Sequence, residues 1–245
     1  MIVLDRPNPI SLGMTEGNIL NPEFSSFVGE YPIPVRHGLT VGEFAQYINS
    51  EQGIGCELYV IPCAGLDGYM YFDDTNLSFV SPSPNIPTVD SAINYIGTCL
   101  FEGTNISEGR GTTHPFELFG APWIDDAWLC EALRDVGLEG VMFRRTCFTP
   151  TFSKYQGEIC RGVQLHITDR SLYTPFAAGL EAFCLIREKY PEHFTVRNFL
   201  DHLFGSDSLR LGEVNTGNIG DYLSVCAEER AAFAETAKKY YLYSR

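Results

Sequence analysis

The chain has 245 residues, 44% of them hydrophobic and 13% aromatic, so it can bury a substantial core without disulfides or a metal. Its formal net charge of −14 argues against a nucleic acid partner, because the phosphate backbone carries the same sign. No apolar run reaches the roughly 18–20 residues of a membrane span. The start, MIVLDRPNPI, lacks the charged and apolar regions of an export signal, which predicts a cytoplasmic chain.

Cysteine and histidine spacing predicts neither disulfides nor a metal site. The eight cysteines form no CxxC pair, so free thiols in a reducing compartment are expected. The five histidines show no HxxxH or HxH grouping. We therefore predict no metal and no cofactor.

The chain opens on a short predicted strand at residues 2–4, which the two prolines of DRPNP terminate. Such a strand needs a sheet to join. We therefore interpret residues 1–20 as the last strand and linker of an N-terminal α/β domain that is missing or supplied by another chain. Residues 21–245 are interpreted as a C-terminal α+β domain.

Two helices in the first half of the chain carry start signals. Thr40-Val-Gly-Glu43 has the form of a capping box, and apolar residues follow it at helical spacing. Residues 57–61 predict a strand, and Thr88 is the expected cap of the next helix. Between that strand and Thr88, the proline-dense stretch 81–87 predicts irregular structure.

The second half of the chain begins with residues 101–120, a polar segment punctuated by glycines that predicts a loop. The remaining predicted elements are helices at 125–136, 176–190, 195–204 and 226–240 and strands at 140–145 and 162–168. Strands and helices do not alternate strictly, which favours an α+β fold with a mixed sheet flanked by helices.

The predicted loop contains the densest group of candidate site residues, in the stretch FEGTNISEGRGTTHPFE. In the functional interpretation, Glu102 or Glu117 transfers a proton, Thr104 and Asn105 bind sugar hydroxyls, and Arg110 binds an anion. The alternative is a solvated surface loop whose charged residues pair with one another.

Two smaller polar clusters are further candidates. Arg36 and His37 precede a helix N-terminus, a position that attracts anions and favours a neutral imidazole. The alternative for His37 is a hydrogen bond to the backbone of the turn. Asp5, Arg6 and Asn8 follow the first strand and could contact a ligand there, or an Asp–Arg pair could simply brace the turn.

Three more side chains complete the set of candidate ligand-binding residues. Trp123 could stack against a sugar ring, as could the aromatic run at 69–72, although aromatics more often belong to the core. His114 and Asn85 belong to two of the polar motifs.

The motifs together resemble one family. They are VLDRPNPI, SFVGEYPIPVRHGLTVGE, PSPNIPT, EGTNISEGRGTTHPFELFGAPW, CRGVQLHITD and KKYYLY. They follow the order and spacing of NamZ-type exo-acting N-acetylmuramidases, the family also known as DUF1343. The resemblance extends from Ile2 to Tyr243, and EGTNxSxGRGT followed by PFExxGAPW is long enough to be specific.

The resemblance implies removal of N-acetylmuramic acid from the non-reducing ends of peptidoglycan fragments, in a cleft between two domains. The lactyl carboxylate of muramic acid calls for an arginine, and Arg110 or Arg36 could bind it. Glycoside hydrolysis also needs an acid and a second group flanking the bond, with Glu102 and Glu117 as local candidates and His37 as a further one. Proteins of this family are often exported, which implies a cell-envelope or secreted location instead.

Three departures from the family pattern leave alternatives open. The Rossmann-like domain that precedes VLDRPNP in such proteins, with its PEHG-type motif, has no counterpart here. Leu66, Gly68, Cys226 and Ala237 stand where tryptophan or arginine is usual. The chain is therefore interpreted either as an enzyme part completed by an N-terminal domain, or as a module that binds muropeptides without cleaving them. A third hypothesis is a hydrolase of another type built on Asp5, His37 and His114, which a metal bound between them would favour.

Overall fold

The computed structural model describes residues 1–245 and confirms the α+β class. Its strands are β1 (Ile2–Leu4), β2 (Glu16–Ile19), β3 (Pro34–Arg36), β4 (Tyr59–Ile61), β5 (Leu118–Ala121), β6 (Val141–Phe148) and β7 (Cys160–Ile167). Its helices are α1 (Val41–Glu51), α2 (Val89–Thr98), α3 (Asp126–Asp135), α4 (Pro175–Lys189), α5 (Phe199–Phe204), α6 (Ser208–Leu211) and α7 (Ile219–Ala237). No helix combines the length and the apolar character needed to cross a membrane.

The strands lie in three small sheets. Strands β1 and β4 form a parallel pair, and β2 pairs with β3 in antiparallel fashion. The third sheet is antiparallel, with β7 between β5 and β6. Parallel and antiparallel pairings therefore occur in the same fold, but in separate sheets.

The main core lies between the three-stranded sheet and helices α2, α3, α4 and α5. Helices α2 and α4 approach unusually closely at two glycines. A Cβ at Gly97 would lie 1.9 Å from the carbonyl oxygen of Pro175, and one at Gly179 would lie 2.4 Å from that of Gly97. Only glycine permits this contact, which fixes the segment after α2 against the core. A smaller core of Leu39, Tyr47, Phe233 and Ala237 joins α1 to α7.

The predicted helix starts are confirmed where a cap is present. Thr40 and Glu43 form a complete capping box, Thr88 caps α2, and the Asp125 carboxylate caps α3. Helices α5 and α7 lack side-chain caps, and their predicted starts are wrong by four and seven residues: they begin at Phe199 and Ile219.

Three strands and one helix were not predicted. Strand β5 lies at the end of the predicted loop. Its strand conformation comes from backbone pairing with β7, and it includes a glycine, so no local pattern marks it. Strands β2 and β3 are short and contain Gly17 and Pro34, residues that disfavour strands. The four-residue helix α6 is too short to show a period.

Candidate active site

The candidate site is centred on a chain of four charged side chains around the turn at Cys99–Gly103, which we call the Glu102 cluster. Arg110 donates from Nη2 to Glu102 Oε2 at 3.1 Å, and its Nε forms an ion pair with Glu108 Oε1 at 3.1 Å. Lys154 Nζ binds the other oxygen of Glu108 at 2.8 Å. It also donates to the carbonyl oxygens of Phe101 and Ile106, at 2.7 and 2.8 Å. The cluster thus clamps the EGTNISEGR segment into a fixed shape.

Glu102 differs from its neighbour Glu108 in what its oxygens contact. Both oxygens of Glu108 are bound by cations, whereas Glu102 Oε1 is shielded from solvent and has no hydrogen-bond partner. Burial raises the pKa of Glu102, Arg110 acts to lower it, and the charge of Glu108 raises it again. A carboxyl with a raised pKa and one uncommitted oxygen can hold a proton and deliver it, which suits a general acid.

Arg110 is held from a second side by aromatic rings. Its guanidinium lies over the Phe116 ring, 5.1 Å from the centroid, and Tyr95 meets Phe116 edge-on at 4.7 Å. The charge of Glu102 contributes to raising the pKa of both the Tyr95 hydroxyl and the Cys99 thiol. Glu102 therefore lies within electrostatic range of Tyr95 and Cys99.

Tyr95 and Cys99 both line a cavity of about 430 Å³, which we call the aromatic cavity. Its other aromatic lining residues are Phe27, Tyr31, Phe44 and Phe204. Phe27 is fully exposed at the tip of a turn, where its apolar ring would gain from covering a ligand. The volume lies in the range of small-molecule sites.

His37 lines the same cavity and stacks on Phe44, with ring centroids 5.5 Å apart. Its Nδ1 accepts the backbone N–H of Leu39 at 3.1 Å, so the proton of the neutral ring is on Nε2. Burial lowers the pKa of His37 to about 4. The imidazole is therefore neutral at physiological pH and offers one N–H donor. The backbone hydrogen bond considered from the sequence is present as well.

Glu117, the second carboxylate candidate, lies at the other end of helix α2. Its Oε1 accepts hydrogen bonds from Ser91 Oγ at 2.7 Å and Thr88 Oγ1 at 3.0 Å, both at the helix start. Its Oε2 contacts His114 Nδ1 at 3.1 Å. Glu102 follows the helix end, and ten residues of helix span about 15 Å. The carboxyls of Glu102 and Glu117 have separate partners, and their pairing across one glycosidic bond, which needs a separation of about 5–9.5 Å, stays a prediction.

The cluster after strand β1 has a structural arrangement. Asp5 is buried and accepts hydrogen bonds from Thr40 Oγ1 at 2.7 Å, the Gly42 N–H at 2.8 Å and Tyr243 Oη at 2.6 Å. Arg6 donates to the Asp5 carbonyl at 2.8 Å, and Asn8 bonds the Leu39 carbonyl at 2.9 Å. The Asp5 carboxylate has no group left for a ligand, so the bracing alternative describes it better.

Arg36 is also committed inside the protein, with 2% of its surface exposed. It lies opposite Glu16 in the β2–β3 pair, and Nη1 contacts Glu16 Oε1 at 2.6 Å. Glu16 Oε2 accepts the Phe176 N–H at 3.1 Å, at the start of α4. This pair links the small sheet to the core, and Arg36 is not available to a lactyl carboxylate.

The other predicted ligand residues are scattered. Thr104 is buried and bonds the Phe101 carbonyl, at 2.9 Å. Asn105 bonds the backbone of residues 193 and 195, at 2.8 and 2.9 Å. Trp123 packs on His193 and Tyr190. Asn85 is half-buried in the proline-rich loop. None of the four lines the aromatic cavity.

The structure adds residues that the sequence did not indicate. Glu108 and Lys154 join Glu102 and Arg110, and Tyr95 links that cluster to the cavity. Glu108 stands in the same motif, so the motif itself was a signal for it. Lys154 lies 44 positions from Arg110, and no spacing rule points to it. No three His, Cys, Asp or Glu side chains are grouped to hold a metal ion, so the metal hypothesis for Asp5, His37 and His114 has no support.

Fold and site thus define an α+β protein with a half-buried acid beside an aromatic-lined cavity. The chain belongs to the NamZ family. The model for "Exo-beta-N-acetylmuramidase NamZ, N-terminal" matches residues 1–90, and the model for the C-terminal part matches residues 93–243. The aromatic cavity takes residues from both parts, Asn18 to Phe44 from one and Tyr95 to Gly205 from the other.

The relatives that match this chain are longer than the chain itself. It is 47% identical over 244 residues to "Peptidoglycan beta-N-acetylmuramidase NamZ" of Bacillus subtilis (strain 168), covering 99% of this chain and 59% of that protein. A DUF1343 family protein from Bacteroides fragilis NCTC 9343 matches with a TM-score of 0.92 at 31% identity, covering 99% of this chain and 66% of that one. A second one from the same strain gives 0.76 at 27% identity, with equal coverage.

Proposed function

We propose that this chain is the substrate-contacting part of a peptidoglycan hydrolase that removes N-acetylmuramic acid from the non-reducing ends of peptidoglycan fragments. The observation that carries the proposal is the Glu102 carboxyl, whose pKa is raised, whose Oε1 is uncommitted, and whose charge acts on Tyr95 and Cys99 in the lining of the aromatic cavity. Family membership and the printed name of the Bacillus subtilis relative support the substrate class.

In this proposal Glu102 is the general acid. It protonates the glycosidic oxygen as the bond to the sugar breaks, and Arg110 fixes the carboxyl and stabilises its anion afterwards. The neutral His37 donates from Nε2 to a polar group of the sugar, while Tyr31, Phe44 and Tyr95 pack against its apolar face.

Apart from Glu30, which lines the aromatic cavity, the acidic residues of the site offer no free second carboxylate. Glu108 is bound on both oxygens, and Glu117 lies at the far end of α2. We therefore propose that a Rossmann-like N-terminal domain or chain supplies the base or nucleophile.

The β1–β4 pair gives this proposal a structural basis. One face of the pair exposes Ile2, Leu4, Tyr59 and Ile61, each more than half accessible. A two-stranded parallel sheet with an open apolar face is marginal by itself, and further strands or a covering helix would stabilise it. Such a surface suits an adjoining α/β domain.

The alternative is a module that binds muropeptides without cleaving them. The observation in its favour is that neither Glu108 nor Glu117 offers a free carboxylate beside Glu102, since hydrolysis of a glycoside ordinarily uses two carboxyl groups.

The test is release of N-acetylmuramic acid from a chromogenic muramide. The assay compares this chain alone, a separately expressed N-terminal domain of a relative alone, and the two mixed. Release by the mixture above the sum of the parts supports the enzymatic proposal. Saturable muramide binding without release in any arm favours the binding module.

A further inference from the structure

A second cavity lies on the outer face of the three-stranded sheet, away from the core. Its volume is about 600 Å³. Arg144 and Gln164 face each other across β6 and β7 and form its floor, with Arg144 Nη2 donating to Gln164 Oε1 at 3.3 Å. Their neighbours Phe143 and Val163 point the other way, into the core, as the alternation of strands requires. We call this space the threonine cavity, after Thr112, Thr113, Thr146, Thr149 and Thr151 in its lining.

Two loops that form the rim are tied to each other. The N–H and the hydroxyl of Thr151 both donate to the Gly111 carbonyl, at 2.8 and 2.9 Å. Gly111 has φ of +82°, and a Cβ there would lie 2.5 Å from the Phe152 carbonyl oxygen. The rim is therefore preformed, which reduces the entropy lost when a ligand binds.

Several hydrogen-bonding groups of this cavity have no partner within the protein. The hydroxyls of Thr113, Thr146 and Thr149 make no hydrogen bond to another residue, and neither do the Gln164 amide N–H groups. His114 holds Nδ1 against Glu117, so Nε2 remains free. Neutral donors and acceptors around an open space match the hydroxyl and acetamido groups of a sugar.

The charge of the lining contrasts with that of the whole protein. The chain carries a net charge of −14, but no Asp or Glu lines this cavity, and Arg144 has no carboxylate partner. Arg110 already faces two carboxylates, and Arg36 is buried against Glu16. Of these three arginines, Arg144 is thus the one that can accept a carboxylate without competing with an internal one.

We propose that the threonine cavity is a binding site for a carboxylate-bearing sugar. Arg144 binds the carboxylate, Gln164 and the threonine hydroxyls bind the ring substituents, and Phe148 and Phe152 provide apolar contact. The site itself follows from the cavity and its charges. The choice of muramic acid over other acidic sugars as the ligand rests on the proposed function.

The test follows the threonine methyl resonances of the isolated 245-residue chain during titration. The probes are N-acetylmuramic acid, N-acetylglucosamine, D-lactate and muramyl dipeptide. We expect saturable shifts at Thr113, Thr146 and Thr149 with N-acetylmuramic acid. Binding of N-acetylglucosamine, which lacks the carboxylate, should be weaker on the order of tenfold. Tight muramyl dipeptide binding would show that the carboxylate is accepted from a peptide as well as from the lactyl group.

The matched variants are Arg144→Gln and Arg161→Gln, since Arg161 is an exposed arginine of β7 outside the cavity lining. Arg144→Gln should weaken N-acetylmuramic acid on the order of tenfold, and Arg161→Gln should leave it unchanged. Equal effects of the two variants, equal affinity for the two acetylated sugars, or D-lactate binding as tightly as N-acetylmuramic acid would overturn the proposal.

This test is separable from that of the proposed function, because it needs no turnover. Muramide release by the mixed domains without methyl shifts at the threonine cavity would overturn the threonine-cavity proposal and support the proposed enzymatic function. Methyl shifts without muramide release would support the threonine cavity as a binding site and contradict the proposed enzymatic function.

Discussion

Arg110 donates to one oxygen of the Glu102 carboxyl at 3.1 Å and leaves the other, Oε1, without a partner. Buried polar atoms are rarely left unpaired, and a catalytic role is one of the reasons for an exception. The same guanidinium is bound to Glu108, so Arg110 holds Glu102 in place without satisfying it fully.

Replacing Glu102 with glutamine should abolish turnover and preserve binding. The amide keeps the size of the side chain but has no acidic proton, so the completed enzyme should lose about 10²–10⁴-fold in kcat. The measurement is muramide release by the mixed domains, with ligand affinity determined in parallel. Glu117→Gln is the matched control and should retain turnover, because the Glu117 carboxyl is bound by the hydroxyls of Thr88 and Ser91 at the start of α2. Equal losses in the two variants would contradict the assignment.

Removing the positive charge of Arg110 should shift the pH dependence of the reaction. Burial raises the pKa of Glu102, and Arg110 opposes that rise. In Arg110→Gln the pKa therefore increases further, and the acid stays protonated to higher pH. The falling limb of kcat/KM should move to higher pH. Carbon-13 NMR titration of the carboxyl in the isolated chain gives the same pKa directly. A limb that moves to lower pH would show that another group controls it.

His37 should make the protein less stable as the pH falls. Its folded-state pKa of about 4 lies below the ordinary value of 6.5, so the unfolded chain takes up a proton first. The contribution of the neutral ring to stability is complete above pH 6.5 and is lost as the pH falls towards 4. His37→Asn keeps an acceptor for the Leu39 N–H without titrating. Urea unfolding at a series of pH values should show a shallower decline for this variant, and parallel curves would refute the role of His37.

Arg36→Met should lower the stability of the fold, and any loss of ligand binding should follow from that loss of stability. Breaking a buried ion pair leaves Glu16 uncompensated and should cost about 3–5 kcal/mol in the free energy of unfolding. Chemical denaturation measures this loss, and Arg161→Met, at an exposed position, should change it by less than about 0.5 kcal/mol. The double variant Glu16→Gln with Arg36→Met should recover part of the stability, because no unpaired charge remains. A stable Arg36→Met chain that fails to bind muramic acid would restore the original ligand role.

The elements predicted from local signals agree with the structure most closely. Thr40, Thr88 and Asp125 were identified as helix starts because their side chains bond backbone groups two or three residues away. Strand β5 was missed because its strand conformation depends on pairing with β7, more than 40 residues later. The starts of α5 and α7 lack such caps and were misplaced for the same reason: no short-range contact marks them.

The candidate site was predictable only in part. The motif around Glu102 and Arg110 indicated a site, and these residues do contact each other. The expected partner Glu117 is 15 positions from Glu102 along the chain, but its carboxyl is bound by Ser91 and Thr88 at the start of α2. Lys154, far away in sequence, completes the cluster. Arg36 and Asp5 are candidate ligand residues in the sequence, but both are buried and bonded to Glu16, Thr40 and Tyr243.

The sequence by itself determined the class of fold, the helix caps, the acidic surface charge and the family, because these depend on composition, local hydrogen bonds and the order of motifs. Only the tertiary structure decided which charged side chains are free. A carboxylate or guanidinium has the same chemistry in the sequence wherever it lies, but its pKa and its availability depend on burial and on partners brought together by chain folding. Glu102 and Arg144 keep uncommitted atoms, whereas the carboxylates of Asp5 and Glu108 do not.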